Sequence, residues 1–283
     1  MNRYILLVVL SIFGFSHALA SEDACKRVLL IGDSQMAFGV WPFRFDHTFD
    51  ETKFDRRSPD GFGTILFKHF SRGNCANSVF HYSQGGSGAT DWLGEAEADG
   101  TSEPQVRFLG GSRMILQPGF ATMIVNSGEL DAQGRKYLAI PPLAKLVDDS
   151  NWMRPDLVVV ALSANDWWLS ESEFLAKYRK MMQIARGGNR KRECLLAGVA
   201  GVVGAHSRYL RGKGEPESVT DENVKKLVRA GKQVAREVGC IFSDLSGIEP
   251  SAGDGLHLIG SSARAAALKV IQDYEVSSRS RSR

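Results

Sequence analysis

Charge of one sign is nearly absent in excess: 35 lysines and arginines stand against 32 aspartates and glutamates, a formal balance of +3 over 283 residues. So small a surplus gives no electrostatic footprint for nucleic acid. The local basic runs 186–192 and 279–283 read as a solvated loop and a frayed tail, with at most a weak attraction to an anionic envelope polymer. Beyond residue 20 no stretch is apolar over the roughly 20 residues that a bilayer span requires. Internal repeats and a central linker are both missing, which points to one domain. Histidines, cysteines and carboxylates nowhere group at metal-ligand spacing, so no metal or other cofactor is expected. Gly85-Gly86-Ser87-Gly88 is glycine-rich, but no Gly-Lys-Ser/Thr follows it, and this excludes a phosphate-binding loop. A Gly-x-Ser-x-Gly nucleophile elbow is also missing.

The N-terminus has the make-up of a secretory signal. Arg3 supplies the positive start, Tyr4 to Phe15 is apolar, and Ala18-Leu19-Ala20 has the small-x-small cleavage pattern. Removal of residues 1–20 is expected, leaving a periplasmic or secreted product that begins at Ser21. Cys25 follows Glu22-Asp23-Ala24, a poor context for lipid attachment. Cysteine is sparse: Cys25, Cys75, Cys194 and Cys240 make four, all beyond the leader. An even number suits disulfides in an oxidising compartment. Each stands just before a candidate strand, so a parallel sheet would set all four along its N-terminal edge. The expected pairs are Cys25 with Cys75 and Cys194 with Cys240, on neighbouring strands in a 2-1-3-4-5 order.

Five apolar, β-rich runs recur at Arg27 to Ile31, Ser78 to Tyr82, Leu157 to Leu162, Leu195 to Val203 and Ile241 to Asp244. Helical stretches such as Glu171 to Ala185 and Asp221 to Val238 separate them. This pattern predicts an α/β fold, three-layered α/β/α, with a doubly wound, mainly parallel five-stranded sheet. One domain over residues 21–275 is expected, with its chemistry at the C-terminal ends of the strands. Ser34, the glycines after Tyr82, Asn165 and His257 all follow strand ends. The connection 91–149 is too long for one crossover helix. It carries Gly110-Gly111, Gln117-Pro118-Gly119, the apolar stretch Ala121 to Val125 and a helical segment Ile140 to Val147. It reads as an insertion at the active-site rim, with room for a hairpin. Phe43 to Phe62 forms a second long loop. Residues 276–283, alternating serine and arginine, are expected to be a disordered basic tail.

What the sequence does contain is a set of groups for acyl transfer. Gly32-Asp33-Ser34 follows the first apolar run, and Asp254-Gly255-Leu256-His257 lies near the C-terminus. A serine hydroxyl is a poor nucleophile until an imidazole takes its proton and a carboxylate orients that imidazole. Asp254 and His257 are three residues apart, so one turn places the carboxylate against Nδ1 and aims Nε2 at Ser34. Taken alone, Gly-Asp-Ser reads equally well as a helix N-cap; His257 reverses that preference. His47, His69, His81 and His206 lack a carboxylate at a telling spacing and read as surface or core residues. Asp33 reads as a shaper of the nucleophile turn and Asp166 as structural.

These blocks resemble those of the SGNH hydrolase superfamily, also called the GDSL-like lipases and esterases. Gly32-Asp33-Ser34-Gln35 resembles the first block, with Gln35 where the name-giving leucine often stands. Ser87-Gly88-Ala89-Thr90 resembles the second, whose glycine donates a backbone N–H. Ser163-Ala164-Asn165-Asp166 resembles the third, with Ser163 replacing its usual glycine, and Asp254 to His257 matches Asp-x-x-His, the fourth. The resemblance implies a Ser34, Asp254, His257 triad. It also implies an oxyanion hole from the N–H groups of Ser34 and Gly88 and the side-chain amide of Asn165. Gly86 is the alternative to Gly88, and a cap before Trp167 is the alternative role for Asn165.

Trp41, Trp92, Trp167 and Trp168 each lie within a few residues of a block. Flat aromatic faces suit sugar rings, and with export this favours a serine esterase acting on O-acetyl groups of a carbohydrate or cell-wall glycan. Trp41, Trp92 and Trp167 are the candidate substrate contacts. An O-acetyltransferase, a lipase or thioesterase, and a catalytically idle glycan-binding module use overlapping features. A monomer is the default expectation.

Overall fold

Val-Leu-Leu-Ile-Gly, residues Val28–Gly32, has no polar side, and a strand of that kind must be covered on both faces. In the computed structural model it is β1, and all five residues are buried. The structure describes residues 25–37, 61–72, 79–83, 88–94, 126–130, 136–138, 143–148, 154–162, 165–167, 169–188, 192–201, 221–251 and 257–281. The other strands are β2 (Val79–Ser83), β3 (Asn126–Leu130), β4 (Lys136–Leu138), β5 (Leu157–Ala161), β6 (Glu193–Ala197) and β7 (Ile241–Ser243). The helices are α1 (Ser34–Ala37), α2 (Phe62–Phe70), α3 (Ala89–Leu93), α4 (Leu143–Asp148), α5 (Glu171–Arg186), α6 (Asp221–Val238) and α7 (Gly260–Arg281).

The main sheet runs β2-β1-β5-β6-β7. Every pairing in it is parallel, so over its five strands the order is the expected 2-1-3-4-5. Successive residues on a strand face opposite sides. Leu29, Ile31, Val158, Val160 and Leu196 therefore pack with the buried faces of α3, α4, α5 and α6. Val28, Leu30, Val159, Leu195 and Ile241 pack with α2 and α7 on the other side. The result is the three-layer α/β/α arrangement.

Within the insertion, β3 and β4 pair antiparallel, and α4 follows close to the expected helical segment. β6 begins at Glu193 and ends at Ala197, not at Leu195 and Val203. The ladder to β5 stops at the pair Ala161 and Ala197, and Val202 and Val203 lie outside the described residues. The tail also differs from expectation: α7 continues through Val276 to Arg281 as helix. Val270, Ile271 and Tyr274 anchor its inner face in the core. Extending a helix that is already nucleated costs little, and Arg279 pairs with Glu275 one turn back.

Cys194 and Cys240 form a disulfide between β6 and β7, with Cα atoms 4.9 Å apart. The register that sets Leu195 opposite Ile241 puts these cysteines side by side at the N-terminal edge. Cys25 is also disulfide-bonded; Cys75 lies outside the described residues, as do residues 1–20. Among the described residues no helix is long and apolar enough to cross a membrane.

The Cys194–Cys240 bridge closes a loop across a sequence separation of 46, for which loop-closure entropy gives about 4 kcal/mol. The double variant Cys194→Ala/Cys240→Ala is expected to lose about 3–4 kcal/mol in urea denaturation. A loss below about 1 kcal/mol would show that the bridge adds little to the packed sheet.

Candidate active site

At the end of β1 the chain turns sharply around a buried carboxylate. Asp33 is fully buried. Its N–H donates to the Ala161 carbonyl at the end of β5 (3.2 Å), and its Oδ1 accepts the Gln35 N–H (2.8 Å). The side chain thus folds back over the residue between them and starts α1, whose first residue is Ser34. Asp33 shapes the turn, and Ser34 sits at the C-terminal end of a central strand.

The second and third blocks are joined by Asp166. This side chain is 2% exposed. Its Oδ2 accepts the Ala89 N–H at 3.0 Å and the Tyr178 hydroxyl proton at 2.6 Å. Gly88 lies so close that an added Cβ would overlap Asp166 Oδ1 and stand 2.9 Å from its Cγ. A side chain at 88 would therefore have to displace the neighbouring carboxylate. Asn165 directly precedes Asp166, so one carboxylate ties the Gly88-Ala89 backbone to the segment that carries Asn165. Gly86 lies outside the described residues.

Tyr178 is a site component that sequence reasoning misses. It sits on α5, which opens with a reciprocal Ser170–Glu173 capping box. It is fully buried and stacks on Phe174 at 3.8 Å between ring centroids. Burial pushes the phenol well above its usual pKa, and the nearby Asp166 and Asp33 carboxylates push it in the same direction. Tyr178 is thus held as a neutral donor. Its signal in the sequence is a hydroxyl on the otherwise apolar face that includes Phe174, Met181 and Met182; a buried phenol needs a partner.

The segment that carries His257 reaches the Asp33 turn through Leu258, whose N–H donates to Gln35 Oε1 (3.2 Å) in a buried bond. His257 directly precedes it and is part-buried. The base of this loop is closed by Ser262, whose hydroxyl accepts the N–H groups of both Ser251 and Ile259, each at 3.1 Å. Asp254 lies outside the described residues.

The tryptophans divide. Trp92 is 3% exposed and packs in the core beneath α3, so it is a core residue and not the expected substrate contact. Its place one helical turn after Ala89, on the buried side of α3, explains this. Trp167 is part-buried and leans against the same core; Trp41 and Trp168 lie outside the described residues. His81 is buried on β2, and His69 lies 3.6 Å from Glu275. Among the described residues no three histidine, cysteine or acidic side chains gather as metal ligands would.

No protein-family model matches the chain, and no curated protein sequence matches it. Solved structures do. A protein of Parabacteroides merdae described as a GDSL-like lipase superimposes with a TM-score of 0.51 at 11% identity, covering 88% of this chain and 95% of its own. A family two carbohydrate esterase from Cellvibrio japonicus gives a TM-score of 0.51 at 14% identity, over 89% of this chain and 61% of its own. The shared architecture is the SGNH hydrolase fold.

Two variants test the Asp166 junction. Gly88→Ala is expected to displace the carboxylate and destabilise the protein by about 1–3 kcal/mol, the usual cost of overpacking a tight site. Tyr178→Phe removes a donor to a buried carboxylate and is expected to cost a similar 1–3 kcal/mol in denaturant titrations. Because the folded-state pKa of Tyr178 is raised, its contribution is full below about pH 10, the unfolded value, and is lost as pH rises through the folded pKa. In alkaline titration monitored at the tyrosinate absorbance, one tyrosine should ionise only with unfolding and vanish from that step in Tyr178→Phe.

Proposed function

We propose that this chain is a serine esterase of the SGNH type that hydrolyses small acyl esters, with O-acetyl groups on a carbohydrate or cell-wall glycan as its substrate class. Ser34 attacks the ester carbonyl while His257, oriented by Asp254, takes its proton. The backbone N–H groups of Ser34 and Gly88 and the side-chain amide of Asn165 receive the developing oxyanion. Collapse of the tetrahedral adduct expels the alcohol, which takes the proton from His257. Water then gives a proton to His257 and attacks the acyl-serine, releasing acetate and restoring the Ser34 hydroxyl.

One observation carries this reading. Residues from four separate segments, Ser34, Gly88, Asn165 and His257, follow strand ends at one edge of the sheet, and buried bonds link these segments in pairs. Substrate binding at the C-terminal strand ends is the rule for open α/β sheets. The glycan assignment is supported by the signal-like N-terminus, by Trp41 and Trp167 near the blocks, and by a carbohydrate esterase that shares the fold. The leader and the disulfides support a periplasmic or secreted location. The substrate partner is an acylated carbohydrate or another small ester.

The test is hydrolysis of acetyl and octanoyl p-nitrophenyl esters by residues 21–283, with Ser34→Ala beside the wild type. Acetyl ester is expected to turn over faster, and Ser34→Ala to lose several orders of magnitude in kcat, as removal of a nucleophile does. Octanoyl preference would move the substrate class to lipids, and Ser34→Ala at wild-type rate would sink the nucleophile assignment. Asn165→Ala is expected to lower kcat about a hundredfold; a change confined to KM would contradict its oxyanion role.

A further inference from the structure

Gln35 is 7% exposed, on a single turn of helix directly after the serine, at the position where the resembled block often has leucine. A primary amide is costly to bury unless it is hydrogen-bonded. Its backbone N–H is spent on Asp33. Its side-chain Oε1 accepts the N–H of Leu258, a residue 223 positions away.

The receiving end is equally constrained. Leu258 is 1% exposed and packs in the core formed with α2 and α7. It stands two residues before α7, where its N–H has no helical carbonyl to meet. The peptide plane that contains the Leu258 N–H also contains the His257 carbonyl, because the peptide bond is planar. The same plane contains the His257 Cα, so holding that N–H restrains the position of the atom from which the His257 side chain leaves the backbone. The Ser251–Ser262–Ile259 clasp already closes the base of the loop. Gln35 supplies a separate anchor, from the residue next to Ser34.

We propose that Gln35 is a positioning residue: it ties the His257 segment to the nucleophile turn, so that acid-base group and nucleophile are held relative to each other by one buried hydrogen bond. This rests on the serine-esterase reading for its catalytic meaning, whereas the tether itself is independent of that reading. It acts through the peptide between His257 and Leu258.

The test uses residues 21–283 with Gln35→Met, which keeps length and removes the acceptor, and Gln35→Glu, which keeps an acceptor oxygen. In Gln35→Met, kcat for p-nitrophenyl acetate is expected to fall about ten- to a hundredfold with KM within about twofold, the signature of misplaced catalytic groups. Gln35→Glu is expected to recover most of that loss. Amide exchange followed by NMR provides the second readout: the Leu258 N–H is expected to exchange at least about tenfold faster in Gln35→Met, while amides of β5 keep their protection. Unchanged Leu258 exchange in Gln35→Met would overturn the tether whatever the protein catalyses. Faster exchange with unchanged kcat would overturn the positioning role. If Gln35→Met does not fold, Gln35→Glu decides, and loss of Leu258 protection there would overturn the proposal. Ester turnover that survives Ser34→Ala would instead remove the esterase reading and leave the exchange result to judge the tether.

Discussion

Central strands without a polar face, β1 and β5, can be hidden only between two layers of helices, and most of the architecture stems from that constraint. A strand covered on both sides is joined to its neighbour by crossing over the sheet, which makes the pairing parallel. Parallel strands end together. β1, β2, β5 and β7 therefore deliver the chain to one edge, and the segments leaving them meet there. The same geometry sends the cysteine bridge between β6 and β7 to the opposite edge.

At the C-terminal edge of the sheet the protein buries two carboxylates, Asp33 and Asp166, close under the blocks. Ionised groups are expensive to bury unless donors surround them. Here backbone N–H groups of Gln35 and Ala89 and the phenol of Tyr178 fill that role. Each donor belongs to, or packs beside, a segment that carries a candidate catalytic group. The desolvation cost is thus converted into a fixed relative placement of those segments, which is what an oxyanion site needs before substrate arrives.

Much of this is legible in the sequence because it is written locally. Continuous apolar runs mark the five strands and their order, the position of Cys194 and Cys240 before adjacent runs marks their pairing, and Asp33 beside a strand end marks a turn former. The illegible part depends on partners far along the chain. Asp166 meets Ala89 across 77 residues, and Gln35 meets Leu258 across 223; no spacing rule marks either pair. Nearness to a block points Trp92 towards substrate, whereas the buried side of α3 decides its fate. A composition poor in apolar residues points to a frayed end for α7, whereas the packed turns before it carry the helix onward. Apolarity alone draws β6 too long, because its neighbour β5 sets where pairing stops.

The contact between Gly88 and Asp166 also limits how this sequence can drift. Any side chain at position 88 must enter volume that the carboxylate occupies, and a side chain at 166 with no oxygen where Oδ2 stands would take that acceptor from both the Ala89 N–H and the Tyr178 hydroxyl. In descendants of this chain the glycine and the aspartate should be inherited as a pair, and the Tyr178 hydroxyl with them for as long as the carboxylate stays.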